Sequence, residues 1–276
     1  MNKETSFEIL CVTMRQKDFS KIESMNVRSN VLYANQSNCT SYEEHLIDDN
    51  HVAKMITTNT KGVGINRNIS LLYSTGDICL LSDDDVRYVD DVERIVLGEF
   101  DKYPKADVII FNVANHSDER PQKTVIKTYK LHRFSRKPFG AVRIAFKRLS
   151  VISDGIFFNT LFGGGCLYKA GEDSLFIDSL MKKGKRIIVS NKTIGETNTE
   201  ESTWFDGYNA SYFYSKGAFL NASKKKPYFL WALYYSLRTS KLSSISFRKR
   251  LFYIKQGRVG FLNKVSFEDY QRERKK

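Results

Sequence analysis

Proline and cysteine are scarce: 4 of each in 276 residues, with 16 glycines. So little Pro and Gly excludes a fibrous or low-complexity chain, and 41% hydrophobic with 13% aromatic residues is too apolar for disorder. Cys11, Cys39, Cys79 and Cys166 stand far apart with no CxxC pair. That spacing excludes zinc ribbons and disulfide frameworks, and predicts reduced thiols in a cytosolic compartment. His45, His51, His116 and His132 share no metal spacing either. No apolar run approaches the ~20 residues of a membrane-spanning helix. The opening Met1-Asn2-Lys3-Glu4-Thr5 is not the start of a signal peptide, so a cytoplasmic protein is expected.

Acidic residues are missing from one end. Residues 203–276 hold 16 Lys and Arg against 4 Asp and Glu, whereas the first 202 hold 28 against 27. A near-neutral body with a basic tail separates chemistry from anchoring, and the tail's partner should be polyanionic: a membrane surface or a nucleic acid. The charge shift predicts a catalytic domain over 1–204 and a basic, aromatic, helical region over 205–276.

What is present along the body is an alternation of strands and helices. Apolar runs at 9–13, 31–34, 55–58, 77–81, 107–111 and 186–189 read as buried strands. Helical spacing covers 66–74, 89–102 and 174–183, and Gly62-Val63-Gly64 reads as a loop. Residues 123–129 and 141–152 read as more exposed strands. The pattern predicts an α/β fold with a mainly parallel central sheet and helices on both faces.

The strongest chemical signal is Ile78-Cys79-Leu80-Leu81-Ser82-Asp83-Asp84-Asp85, an apolar strand delivering three carboxylates at its C-terminal end. Ligands of open α/β sheets bind at that end. Clustered carboxylates repel one another unless a cation sits among them, and a hard divalent cation, Mn²⁺ or Mg²⁺, both relieves this and bridges phosphates. An acidic solvent-facing turn is the plain alternative. Upstream, Arg67 in Gly64-Ile65-Asn66-Arg67-Asn68 offers a charged fork for a phosphate or carboxylate. Downstream, Glu172 and Asp173 open a helix, where a carboxylate is held as the anion and can take a proton from a hydroxyl, or can simply cap the helix.

Gly64-Ile65-Asn66-Arg67-Asn68, then Gly76-Asp77, then Asp83-Asp84-Asp85, together with Gly171-Glu172-Asp173, resemble the family 2 glycosyltransferases over about residues 6–205. The resemblance implies a GT-A-like fold and inverting sugar transfer from a nucleoside diphosphate donor to a glycan or lipid-linked hydroxyl, as in bacterial surface polysaccharide synthesis. It implies Asp83 and Asp85 as metal ligands, with Asp84 open as another. Arg67, Asn68, Asp83 and Asp84 are implied at the donor, Asp173 as catalytic base and Glu172 beside it as an orienting group. Two features depart from the family pattern. Asn35 and Gln36 stand where the second strand commonly ends in an Asp near the base, and no Arg precedes Trp204 or Trp231, so the processive QxxRW signature is absent. A single transfer per encounter is expected.

Phe162-Gly163-Gly164-Gly165 either leaves room for a sugar or makes a tight turn, Cys166 reads as packing, and Ser202-Thr203-Trp204-Phe205 reads as a lid or as ordinary packing. Two rival functions remain at this level. A nucleotidyltransferase shares nucleotide, metal and carboxylates but lacks a counterpart for Glu172-Asp173. A non-catalytic nucleic-acid binder would use the aromatic, basic tail, although the near-neutral body and acidic triplet disfavour nucleic acid there. The stretch Tyr228 to Leu237, half of a membrane span and flanked by Lys224-Lys225-Lys226, Arg238 and Lys241, predicts peripheral contact with anionic membrane at its inner face.

Overall fold

A computed structural model describes residues 5–115, 124–132, 139–197, 207–224 and 226–274. The candidate lid at 202–205, His116, Lys225 and the expected boundary at 204 lie outside them. The first half of the chain runs β1 (Phe7–Met14), α1 (Lys21–Ser24), β2 (Asn30–Gln36), β3 (Ser41–Leu46), β4 (Val52–Thr58), α2 (Val63–Tyr73), β5 (Ile78–Asp83), β6 (Val86–Tyr88), α3 (Val92–Lys102) and β7 (Val108–Asn115). It continues through β8 (Tyr129–Lys130), a 3-10 turn (Ala141–Arg143), β9 (Ile144–Lys147), α4 (Arg148–Ile152), α5 (Glu172–Lys182) and β10 (Ile187–Thr197). Four helices follow: α6 (Ala210–Ala222), α7 (Tyr228–Arg238), α8 (Phe247–Asn263) and α9 (Phe267–Glu273).

The strands form one sheet in the order β3-β4-β2-β1-β5-β9-β7-β10-β6, with β8 on β10. Strands β1, β2, β4 and β5 pair in parallel, as does β7 with β10. The sheet is nonetheless mixed, not mainly parallel as expected: β3, β6, β8 and β9 all pair antiparallel. The reason lies in short or polar strands that carry little apolar signal. Ser41–Leu46 buries no side chain, as suits a charged edge strand. Within 141–152 only Ile144–Lys147 is extended, wedged between β5 and β7, and the rest is a 3-10 turn and a helix.

Alternation along the strands fills both faces. Phe7, Ile9, Cys11, Val31, Tyr33 and Phe111 share one core, while Leu10, Leu32, Leu81 and Ile110 share the other. Buried Glu8 interrupts this alternation for a purpose: its carboxylate accepts from Thr75 N at 2.6 Å and Gly76 N at 3.0 Å. Asp77 accepts from Ser6 N at 3.1 Å and Ser6 Oγ at 2.8 Å. The Gly76-Asp77 pair thus braces the start of β5 against β1.

The chain divides into two compact units, one of residues 1–61, 65–158 and 176–201, the other of residues 62–64, 159–175 and 202–276. The sheet belongs to the first. The second takes up 159–175 in addition to the tail, a grouping that a charge shift alone does not reveal. Its core joins Phe162, Tyr168, Phe213, Tyr214 and Ile254. Helices α6 and α8 approach backbone to backbone through glycine: a Cβ on Gly217 would collide with Ile254 O, and one on Gly257 with Tyr214 O. Tyr168 Oη donates to Gly260 O at 3.0 Å and Tyr214 Oη to Val265 O at 3.0 Å, so the buried hydroxyls are satisfied at the same crossing. Among the described residues no helix is long and apolar enough to cross a membrane.

Candidate functional site

In the first unit, β5 carries Asp83 as its last residue, and Asp84 and Asp85 form the tight turn into β6. Parallel pairing with β1 sets Val12 beside Asp83. Thr13 Oγ1 donates to Asp84 Oδ2 at 2.6 Å, and Lys21 Nζ lies 3.6 Å from the same oxygen while donating to Asp84 O at 3.1 Å. Buried Arg67 donates through Nη2 to Asp83 Oδ1 at 2.9 Å, its guanidinium 5.3 Å above the Phe158 ring. The structure therefore brings Arg67, Asp83, Asp84 and Asp85 together. It adds Thr13 and Lys21, which sequence reasoning missed because only strand pairing and the α1 loop bring them to the turn.

Asp85 differs from its neighbours. It reaches solvent and has no ion pair among the described residues, yet desolvation by the surrounding protein, then the Asp83 charge, pushes its carboxyl above the ordinary value. Asp84 adds to the push and Lys21 opposes it. A carboxylate strained by like charge is what a cation relieves. Among the described residues no group of three or more His, Cys, Asp or Glu is arranged for a metal. Asp83 and Asp85 carry carboxylate oxygens, the ligand type that hard divalent cations take alongside water and phosphate oxygens.

The asparagines of the Arg67 motif bond to backbone. Asn68 donates to Phe158 O at 3.0 Å and accepts from Phe158 N at 2.8 Å, committing both amide atoms to one backbone residue. Asn66 Nδ2 donates to Thr13 O at 3.1 Å and Ala34 O at 2.8 Å, tying the ends of β1 and β2. Asn35, at the end of β2, accepts from Gln16 N at 3.0 Å and donates to Gln16 O at 2.9 Å and Thr57 Oγ1 at 3.1 Å. Gly64 also serves packing, since Val63 and Gly64 open α2 rather than a loop and a Cβ on Gly64 would lie 2.8 Å from Asn159 O.

Glu172 and Asp173 belong to the second unit and stand in the first turn of α5. Glu172 Oε2 accepts from Gly171 N at 3.0 Å. Gly163 and Gly171 have φ of +99° and +125°, a backbone that favours glycine. The space above Gly163 is filled by Val63 and by the Glu172 carboxyl, so those atoms, not a sugar, occupy the room this glycine leaves. A Cβ on Gly171 would meet Phe219 Cδ2 at 2.7 Å. The Glu-Asp pair is thus seated by two glycines, with Asp173 at a helix start that favours the anion.

Residues 36–163 match the model of the glycosyl transferase family 2. The matched segment contains Arg67, Asn68 and the acidic turn and ends before Glu172. No curated protein sequence matches the chain. Among solved structures, S. aureus TarS 1–349 in complex with UDP-GlcNAc aligns with a TM-score of 0.55 at 14% identity, covering 96% of this chain and 78% of that one. The same TarS fragment in complex with UDP aligns with a TM-score of 0.54 at 12% identity, covering 96% and 77%. At such identity the likeness speaks for the fold, a mixed α/β GT-A architecture. The family match covers less than half of the chain, and the solved structures share its fold.

Proposed function

We propose that the chain transfers a sugar, in the manner of a hexosyltransferase, from a nucleoside diphosphate donor to a hydroxyl of a glycan or lipid-linked acceptor. The reaction is inverting and non-processive and serves bacterial surface polysaccharide synthesis. The observation that carries this reading is the Arg67–Asp83 ion pair beside the Asp84-Asp85 turn, at the C-terminal end of a central strand and inside the family-matched segment.

Asp83 and Asp85 are the residues that would hold Mn²⁺ or Mg²⁺, whose chemistry when bound is Lewis-acid neutralisation of the leaving diphosphate. Arg67 fixes the Asp83 carboxylate, leaving its second oxygen for the cation or the donor ribose. Thr13 and Lys21 hold Asp84 in the same way, so the turn meets the donor already ordered. Asn68, held by Phe158, stands beside Arg67 on the donor side. Asp173 takes the proton of the acceptor hydroxyl as that oxygen attacks the anomeric carbon, and Glu172 holds the start of α5 in place. The enzyme works in the cytoplasm, peripherally at the inner face of the membrane, and nucleic acid is not its partner.

Thermal melting with a panel of nucleoside diphosphates, with and without Mn²⁺, tests the reading. One base should stabilise the protein only when metal is present, and Asp85→Asn should lose that metal-dependent stabilisation. Salt-sensitive RNA binding with no response to any nucleotide would overturn it.

A further inference from the structure

Helix α7 wears its burial the wrong way round for a helix in water. Ser236 is 0% exposed, while Phe229 is 65% exposed, Leu230 57% and Leu237 56%. At 3.6 residues per turn, Phe229, Leu230, Leu233 and Leu237 line one stripe of the helix. Leu242, just past its end, is exposed as well. The opposite side is anchored within its own unit: Tyr228 Oη donates to Ile254 O at 2.7 Å, and Ala232 is buried.

The charged residues that flank this stripe along the chain are all basic. Lys224 and Lys226 precede it and Arg238 and Lys241 follow it, all exposed. From residue 207 to residue 267 the sequence contains no Asp or Glu. Half-exposed Trp231 and Tyr234 flank it, their ring centroids 5.9 Å apart, and Arg238 Nη1 donates to Tyr234 Oη at 2.9 Å.

We propose that the outward stripe of α7 is a docking surface for an anionic lipid bilayer, with Phe229, Leu230 and Leu237 seated below the headgroups and Lys226 and Lys241 on lipid phosphates. Eleven residues are too few to cross a bilayer but suit a helix lying in its interface. Tyr and Trp at the rim match the headgroup layer, where rings with one polar edge are favoured. A second copy is a poorer cover. A two-fold contact would set Lys226, Arg238 and Lys241 against the same cations of the other chain, with no carboxylate in 207–267 to answer them. The inference rests on the peripheral location proposed above and does not depend on sugar transfer.

Flotation of the full chain with phosphatidylcholine vesicles, with and without phosphatidylglycerol, provides the test. The protein should float with the anionic vesicles and release at high salt. Leu230→Ser combined with Leu237→Ser should weaken binding about tenfold or more, through lost apolar burial. Lys226→Glu combined with Lys241→Glu should weaken it about fivefold or more per cation removed. Both lysines are exposed, so they carry the test if the leucine variant fails to fold. Equal recovery with neutral and anionic vesicles, or with neither, overturns the proposal. So does a wild type that sediments as a dimer and becomes monomeric in the leucine variant, because a second copy then covers the stripe. Nucleotide stabilisation measured on the same samples reports on the transferase reading separately.

Discussion

The two units solve the same packing problem with different means. The first buries runs of Ile, Leu and Val on both faces of a sheet, carries charges of both signs, and pins its polar groups through short-range partners such as Thr13–Asp84 and Arg67–Asp83. The second packs aromatic rings around glycine notches and holds no carboxylate from 207 to 267. The difference teaches that the first unit places charge at strand ends, whereas α6, α7 and α8 are built for close approach and their charged residues are all basic.

Breaking that comparison at its most sensitive point means removing the proposed base. Asp173→Asn should keep donor affinity and lose transfer by about 10²-fold or more, because general-base catalysis contributes roughly 10²–10⁴-fold. Single-turnover transfer and nucleotide calorimetry on the same variant separate the two effects. Transfer near the wild-type rate would reduce Asp173 to a helix cap.

Helix glycines sharpen the contrast next, since the same substitution should have opposite signs in the two units. Gly257→Ala in α8 places a methyl against Tyr214 O, and should destabilise the protein by about 3 kcal/mol in urea unfolding, at the upper end of overpacking costs. Gly98→Ala in α3 meets nothing within 4 Å, and should stabilise by about 0.5–1 kcal/mol through the lost entropy of glycine. Equal signs would show that the glycine-mediated crossing is not tight.

The smallest effect concerns Asp85 without metal. Its carboxyl is held above the ordinary value in the folded state, so the protonated form is favoured there. Any stability Asp85 contributes is complete below the unfolded-state value and is lost as pH rises through the folded one. In chelator, Asp85→Asn should therefore melt slightly above wild type at neutral pH, and the gap should close on acidification. A gap that widens toward low pH would mean that Asp85 is stabilised as the anion.

Much of the first unit is legible because parallel, doubly buried strands write themselves as apolar runs; β1 and β5 are examples, and β5 points directly at Asp83. Strands without that signature escape: Ser41–Leu46 is polar because it lies at an edge, and Ile144–Lys147 is too short to show a period. The acidic turn and Arg67 are visible as residue types, but their partners are not. Thr13 and Lys21 reach Asp84 from 71 and 63 positions away in sequence, a separation that only pairing of β1 with β5 closes. The bonds of Asn35 to Gln16 and of Asn68 to Phe158 are likewise invisible in the sequence, because buried backbone groups find their partners only once the chain has folded.

The notched crossing of α6 and α8 leaves a signature that can be used to trace ancestry. Apolar core positions drift among Leu, Ile, Val and Phe without changing a fold, so they identify relatives poorly. Gly217 and Gly257 cannot drift, because any larger residue strikes a main-chain carbonyl, and Gly260 faces the Tyr214 hydroxyl at equally close range. A chain that shares the sheet unit but not these three glycines would have acquired a different carboxy-terminal module. One that keeps them inherits the α6–α8 crossing, however far its remaining residues have diverged.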